Sequence, residues 1–190
     1  LGPADVPGVS SEWIVDSVGM YRAWFRRNNF AYALVGEEVL GGEVTRVVFE
    51  VEGARVHSIL SMEDGEHRRM GPSGLERLRV WVIPRRDAPV PEDIPGGEVS
   101  DAKRERGVAL ARRVARLTLR APRRGVEMTL HGSSRQTLSL LGADLGGILT
   151  SPDARGDVVR EYGIAGGAVQ DPRTSASVGQ TKTVLRGELE

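Results

Sequence analysis

The chain has 190 residues with 26 basic against 26 acidic side chains, long enough for one domain or two small ones around a real core. Its 39% hydrophobic and 27% charged content excludes a disordered chain, and its lack of cysteine excludes disulfides, thiolate metal sites and a cysteine nucleophile. Aromatics at 5% are too sparse for a base-stacking platform, and no apolar run approaches the ~20 residues that cross a bilayer.

Leu1 to Val9, rich in Gly and Pro, reads as an irregular entry; Leu1 is no initiator methionine, so the start is trimmed or the chain is a piece of something longer. Ser10 or Ser11 then caps a helix to about Arg27, because Trp13, Ile14, Val18, Tyr21, Trp24 and Phe25 recur every three to four residues. Arg22, Arg26 and Arg27 lie near its end, where cations suit the helix dipole. A strand over Glu12 to Val18 is the competing reading, since Trp-Ile-Val favours extended backbone.

From Phe30 the period changes to that of strands. Phe30 to Val35, Val44 to Val51, Ala54 to Met62 and Leu75 to Ile83 are rich in β-branched residues and separated by Gly41-Gly42, Glu52-Gly53 and Asp64-Gly65 turns. In the last run Leu78, Val80 and Val82 face one way and Arg77, Arg79 and Trp81 the other, as in an antiparallel meander with one wet face. Pro84 to Gly97 holds four prolines and reads as a linker or extended arm. Val126 to His131 and Gln136 to Leu141 read as a second β region around a Gly-Ser-Ser turn. Val158 to Ile164 reads as a strand or short helix, and the Ser/Thr-rich tail from Asp171 carries a last element at Thr181 to Leu189.

The most lopsided stretch lies between these β regions. From Ser100 to Arg124 nine basic residues face Asp101 and Glu105, a balance of +7, which leaves −7 on the rest of a neutral chain. Placed on a helix ending at Ala121-Pro122, the block puts Leu110, Val114, Leu117 and Ala121 on one stripe. Arg106, Arg113, Arg116 and Arg120 gather opposite, with Arg123 and Arg124 beyond the proline. Guanidinium groups keep their charge and bind carboxylates or phosphates bidentately, so these six arginines are the candidate interaction residues.

No other constellation carries chemistry. His57 falls in an expected strand, His67 in a charged turn and His131 at a strand end, and none has a second ligand at metal-binding spacing. Ser133 and Ser134 lack a nucleophile elbow, and the glycine pairs at 146–147 and 166–167 read as turns rather than phosphate cradles. Asp144, Asp153, Asp157 and Asp171 read as turn residues, and Arg155-Gly156-Asp157 as a polar turn. The expectation is no catalytic residue, no cofactor and no metal.

One longer pattern carries a resemblance. Arg77 to Val82 precedes a Pro-rich loop, then Ala109 to Arg116, then Ala121-Pro122-Arg123-Arg124-Gly125-Val126-Glu127-Met128-Thr129-Leu130, with Arg160 to Ile164 and Asp171 further on. Over about Leu75 to Asp171 this resembles hub or tail-tip proteins of tailed bacteriophages and related particles. The resemblance implies a structural, ring-forming virion component without catalytic residues.

Together these readings give an α+β, antiparallel β-rich fold with an N-terminal helix and one Arg-rich amphipathic helix packed on sheet. Its expected segments are 1–84, a linker at 85–99, and 100–190. The expected function is non-enzymatic assembly, with the chain itself and other tail proteins as partners in a virion, otherwise in the cytoplasm. The alternative is a nucleic-acid-binding module using the 101–124 arginine face.

Overall fold

The computed structural model describes residues 10–72, 74–85, 88–101, 115–122, 126–151, 157–163 and 167–188. In chain order these form α1 (Ser11–Arg27), β1 (Ala31–Leu40), β2 (Glu43–Glu52), α2 (Val56–Leu60) and a 3-10 turn (Ser61–Glu63). There follow β3 (Gly65–Gly71), β4 (Gly74–Val80), β5 (Gly97–Asp101), β6 (Ala115–Ala121), β7 (Val126–Gly132) and α3 (Arg135–Thr150). The last elements are β8 (Val158–Tyr162), β9 (Ala168–Asp171), β10 (Ala176–Gln180) and α4 (Thr181–Leu185). The fold is α+β, with two five-stranded, mostly antiparallel sheets and an N-terminal helix. It divides into two compact units, one of residues 1–32, 51–82 and 156–190, the other of residues 33–50 and 83–155.

The first unit is built on the sheet β10-β9-β8-β3-β4, in which β3 and β8 run parallel and the other pairs antiparallel. The Ser10 side chain accepts the Trp13 N–H and so starts α1, while Arg26 and Arg27 occupy the last turn. Trp13, Ile14, Ser17, Met20 and Trp24 recur at helical spacing and are buried. Trp13 and Met20 meet Tyr162, Val169 and Val184 in one core cluster, with the Trp13 ring edge-on to Tyr162 at 6.1 Å. Burying a ring of about 200 Å² contributes roughly 5 kcal/mol before conformational entropy is charged against it.

In the second unit the strand order is β2-β1-β7-β6-β5. Gly41 and Gly42 have φ of 61° and 88°, the left-handed pair that a two-residue hairpin between β1 and β2 requires. β1 meets β7 at Gly36–Gly132 and Glu37–His131. Beside that pairing the buried Glu38 carboxylate accepts the Thr129 N–H at 2.5 Å, and it also binds Thr45 and Arg46. α3 packs on β5 and β6, capped by Ser134, and buries Leu138, Leu145 and Leu149.

Several expected elements take a different form. Ala115 to Ala121 is strand rather than the end of an Arg-rich helix, because Ala115, Leu117, Leu119 and Ala121 alternate as a buried row. Residues 102–114, and with them Arg106 and Arg113, lie outside the described residues, as do Arg123 and Arg124. Gln136 to Leu141 belongs to α3, not to a strand, since the Ser134 cap and the buried Leu138, Gly142, Leu145 and Leu149 set a helical period. The pair Gly146–Gly147 and Asp144 are accordingly helical rather than turn residues. Within Ala54 to Met62 the chain coils into α2 and the 3-10 turn, leaving His57 exposed on α2 instead of in a strand. His67, expected in a charged turn, lies instead on β3, a strand in mid-sheet.

Candidate functional site

Of the six candidate arginines, Arg116 and Arg120 are described, and both sit on the outward face of β6. Helix and strand periods alike place residues four apart on one side, so the two stay together although their carrier is a strand. Arg120 donates to Glu127 at 3.1 Å, directly across from it on β7, and both side chains are about two-thirds exposed. Such a pair contributes little to stability. A shallow hollow of ≈ 290 Å³ beside them is lined by Gly96, Gly97, Glu98, Thr118 and Arg120, open and mixed in charge.

The densest polar chemistry lies instead inside the first unit. The Glu63 carboxylate, at the end of the 3-10 turn, is buried and accepts from the Tyr21 hydroxyl at 3.1 Å and from Nε of Arg160 at 3.1 Å. A second Arg160 nitrogen binds the same oxygen of Glu63, giving a two-pronged ion pair with both side chains nearly enclosed. His67 on β3 lies with Nε2 3.0 Å from the Glu63 carbonyl and Nδ1 3.2 Å from the Tyr162 hydroxyl. A carbonyl can only accept, so Nε2 carries the proton and Nδ1 accepts from Tyr162.

The electrostatics follow from enclosure. Burial pushes the His67 pKa below the usual histidine value, which the nearby Glu63 charge only partly offsets, and the ring is neutral at pH 7. Burial followed by the Glu63 charge raises the phenols of Tyr21 and Tyr162, so both remain hydroxyl donors. Burial opposes the Arg160 charge, but the hydrogen bonds and charge of Glu63 outweigh it and hold that guanidinium above its ordinary value. Nearby, Arg69 lies over the Trp13 ring at 5.2 Å, bonds Glu76 at 2.5 Å and reaches Asp16 at 3.3 Å.

These groups are matched to one another inside the core, so the network braces the fold. It ties α1, the Ser61–Glu63 turn, β3 and β8, elements contributed by three separate stretches of chain. None of its members was among the candidate residues. The run Glu63-Asp64-Gly65-Glu66-His67-Arg68-Arg69 is so rich in charge that it reads as solvated turn, and only the pairing of β3 between β4 and β8 shows otherwise.

Residues 8–73 match the PCRF domain family, a span that takes in α1 to β3 and with them Tyr21, Glu63 and His67. The fold as a whole is similar to a solved structure, RF2 of Thermus thermophilus, with a TM-score of 0.60 and 18% sequence identity. That likeness covers 98% of this chain and 63% of the other, so the chain spans less than two thirds of the length of the protein it matches. No curated protein matches the chain in sequence.

These findings overturn the resemblance to phage tail hubs, and with it the ring-forming assembly role, the tail-protein partners and the virion location. The tail-hub pattern rested on an Ala/Arg-rich helix leading into a strand, whereas Ala115 to Ala121 is itself strand. The alternative, a nucleic-acid module reading through the 101–124 arginine face, is likewise unsupported: its described members, Arg116 and Arg120, share a strand, and Arg120 is tied to Glu127.

Proposed function

We propose that this chain is a release-factor-like protein of translation termination, with the ribosome as its partner and the cytoplasm as its place of work. The observation that carries this reading is the PCRF match over residues 8–73 within a chain whose whole described fold runs parallel to RF2. The reading also takes the chain to be a binding factor rather than an enzyme in its own right. His67 is consumed by hydrogen bonds in the core and presents no face to a substrate.

The test is sedimentation of the purified chain with ribosomes, followed by its effect on nascent-chain release from complexes halted at a stop codon. Stoichiometric co-sedimentation, together with a change in release when the chain is added alongside an intact release factor, is the expected result. A chain that stays in the supernatant and leaves termination untouched would overturn the proposal.

A further inference from the structure

α1 carries two seams of equal spacing on opposite sides. Trp13, Ser17, Met20 and Trp24 form the buried one. Val15, Gly19, Arg22 and Arg26 repeat that spacing two residues on, about 200° around the helix, and all four are exposed. Val15 is 59% exposed, an apolar side chain that the fold leaves in water.

Gly19 stands at the middle of the outward seam, with nothing within 4 Å of where its Cβ would be. Glycine is the least favourable residue after proline in a helix interior, because it leaves the backbone free in the unfolded chain. In α3, Gly142 and Gly146 answer close neighbours within the fold, Leu117 and Pro95. No described neighbour asks for glycine at 19. A residue without a side chain there lets a second backbone approach α1 closely.

The lower half of the seam is cationic. Arg27 holds Glu188, and Arg69 holds Glu76 and Asp16, but among the described residues neither Arg22 nor Arg26 holds a carboxylate. Nε of Arg26 donates instead to the Tyr32 hydroxyl at 3.0 Å. The hydrogen bond of Arg22 lowers the Tyr32 pKa most, burial opposes it, and the bond of Arg26 adds to it, so both guanidinium groups lean on one phenol. The Tyr32 ring is itself held against Phe25, with centroids 5.4 Å apart. One hydroxyl occupies a single donor on each fork, and the remaining N–H groups suit carboxylates.

We propose that the outward seam of α1 docks an amphipathic helix of a ribosomal protein, crossing at Gly19, with an apolar side chain against Val15 and two carboxylates a turn apart against Arg22 and Arg26. The inference rests on the ribosome reading above and adds to it the face that docks. A protein helix is favoured over RNA by the other end of the seam. Glu12, exposed one turn before Val15, repels phosphate, and Val15 gives phosphate no contact. A partner helix satisfies the apolar and the cationic halves together, and the charges fix its direction.

The experiment measures co-sedimentation of the full chain with ribosomes. Gly19→Gln fills the crossing point without meeting the rest of the fold, so it should melt no lower than the unchanged chain. It should nevertheless bind ribosomes roughly tenfold more weakly, through lost fit at the centre of the interface. Gly147→Gln, the same change at an exposed glycine of α3 in the other unit, should bind as the unchanged chain does. Arg22→Gln/Arg26→Gln should also bind roughly tenfold more weakly, having lost its charge-assisted contacts. Because the chain has no cysteine, Glu12→Cys takes a benzophenone label at one place beside the seam. Irradiated on ribosomes, that label should attach to a ribosomal protein. Undiminished binding by Gly19→Gln or by the arginine pair, an equal loss in Gly147→Gln, or a label found on ribosomal RNA or on nothing overturns the inference and leaves the functional reading standing. An unchanged chain that does not bind ribosomes overturns both.

Discussion

Glu63 is the residue on which the first unit's interior depends. Its carboxylate compensates Arg160 and takes the Tyr21 hydroxyl, and both members of the ion pair are close to fully enclosed. Glu63→Gln leaves a buried guanidinium without its counter-charge, a loss of about 3–5 kcal/mol of unfolding free energy measurable in urea. Glu161→Gln, which removes a half-buried carboxylate 3.9 Å from Arg68, should cost under about 1 kcal/mol. Equal losses in the two variants would show that the network is not the brace described.

His67 adds a dependence on pH with a definite sign. Its pKa is depressed in the folded chain, so between the unfolded value of about 6.5 and the lower folded value the unfolded state binds more protons. Stability contributed by the neutral ring is fully present above pH ~6.5 and is lost as pH falls below it. Glu76 and Asp171 behave as depressed carboxylates, and their contribution is lost only at lower pH, below about 4.5. Melting temperatures at pH 7.5 and 5.5 should therefore fall less in His67→Asn than in the unchanged chain, whatever the variant's absolute stability.

At the scale of elements, α3 offers a comparison between neighbouring glycines. Gly146 faces Pro95 so closely that a Cβ would overlap the Pro95 carbonyl, and a Cβ on Gly142 would come within 2.7 Å of Leu117. Gly147, one residue on, has nothing within 4 Å of where its Cβ would be. Gly146→Ala should destabilise by about 1–3 kcal/mol through overpacking against backbone. Gly147→Ala should stabilise by about 0.5–1 kcal/mol through helix propensity. Thermal melts of the two variants should move in opposite directions; movement the same way would mean that α3 does not lie on Pro95.

The elements also show where sequence patterns were readable. α1 was legible because its cap, its 3.6-residue apolar spacing and its basic last turn agree. The Gly41-Gly42 hairpin was legible because two adjacent glycines state a backbone requirement directly. β6 was misread because Val114, Leu117 and Ala121 fit a helical stripe as well as Leu117, Leu119 and Ala121 fit a strand. What decides between those periods is the pairing of β6 with β5 and β7, from Gly97–Leu119 to Ala115–Gly132.

For the whole molecule, the charge is sorted rather than merely balanced. The net charge of zero conceals a first unit in which most described arginines are matched to carboxylates, as in Arg68–Glu66, Arg79–Asp64 and Arg173–Asp171. Salt should therefore weaken any complex formed through exposed arginines such as Arg22 and Arg26 far more than it weakens the fold, whose main ion pairs are shielded. Ribosome binding that is indifferent to salt between ~50 and ~200 mM would argue against this division, because exposed charges are screened by salt.

The amino-acid sequence by itself determined the α+β class, the N-terminal helix with its cap and the first hairpin, since each depends on neighbours along the chain. Only the tertiary structure decided that Glu63 and His67 are interior, and that Tyr21 and Arg160 meet Glu63 there. That grouping joins residues as far apart in the chain as Tyr21 and Arg160, brought together by β8 slotting in beside β3. Burial and charge compensation are properties of such long-range contacts, and local periodicity carries no record of them.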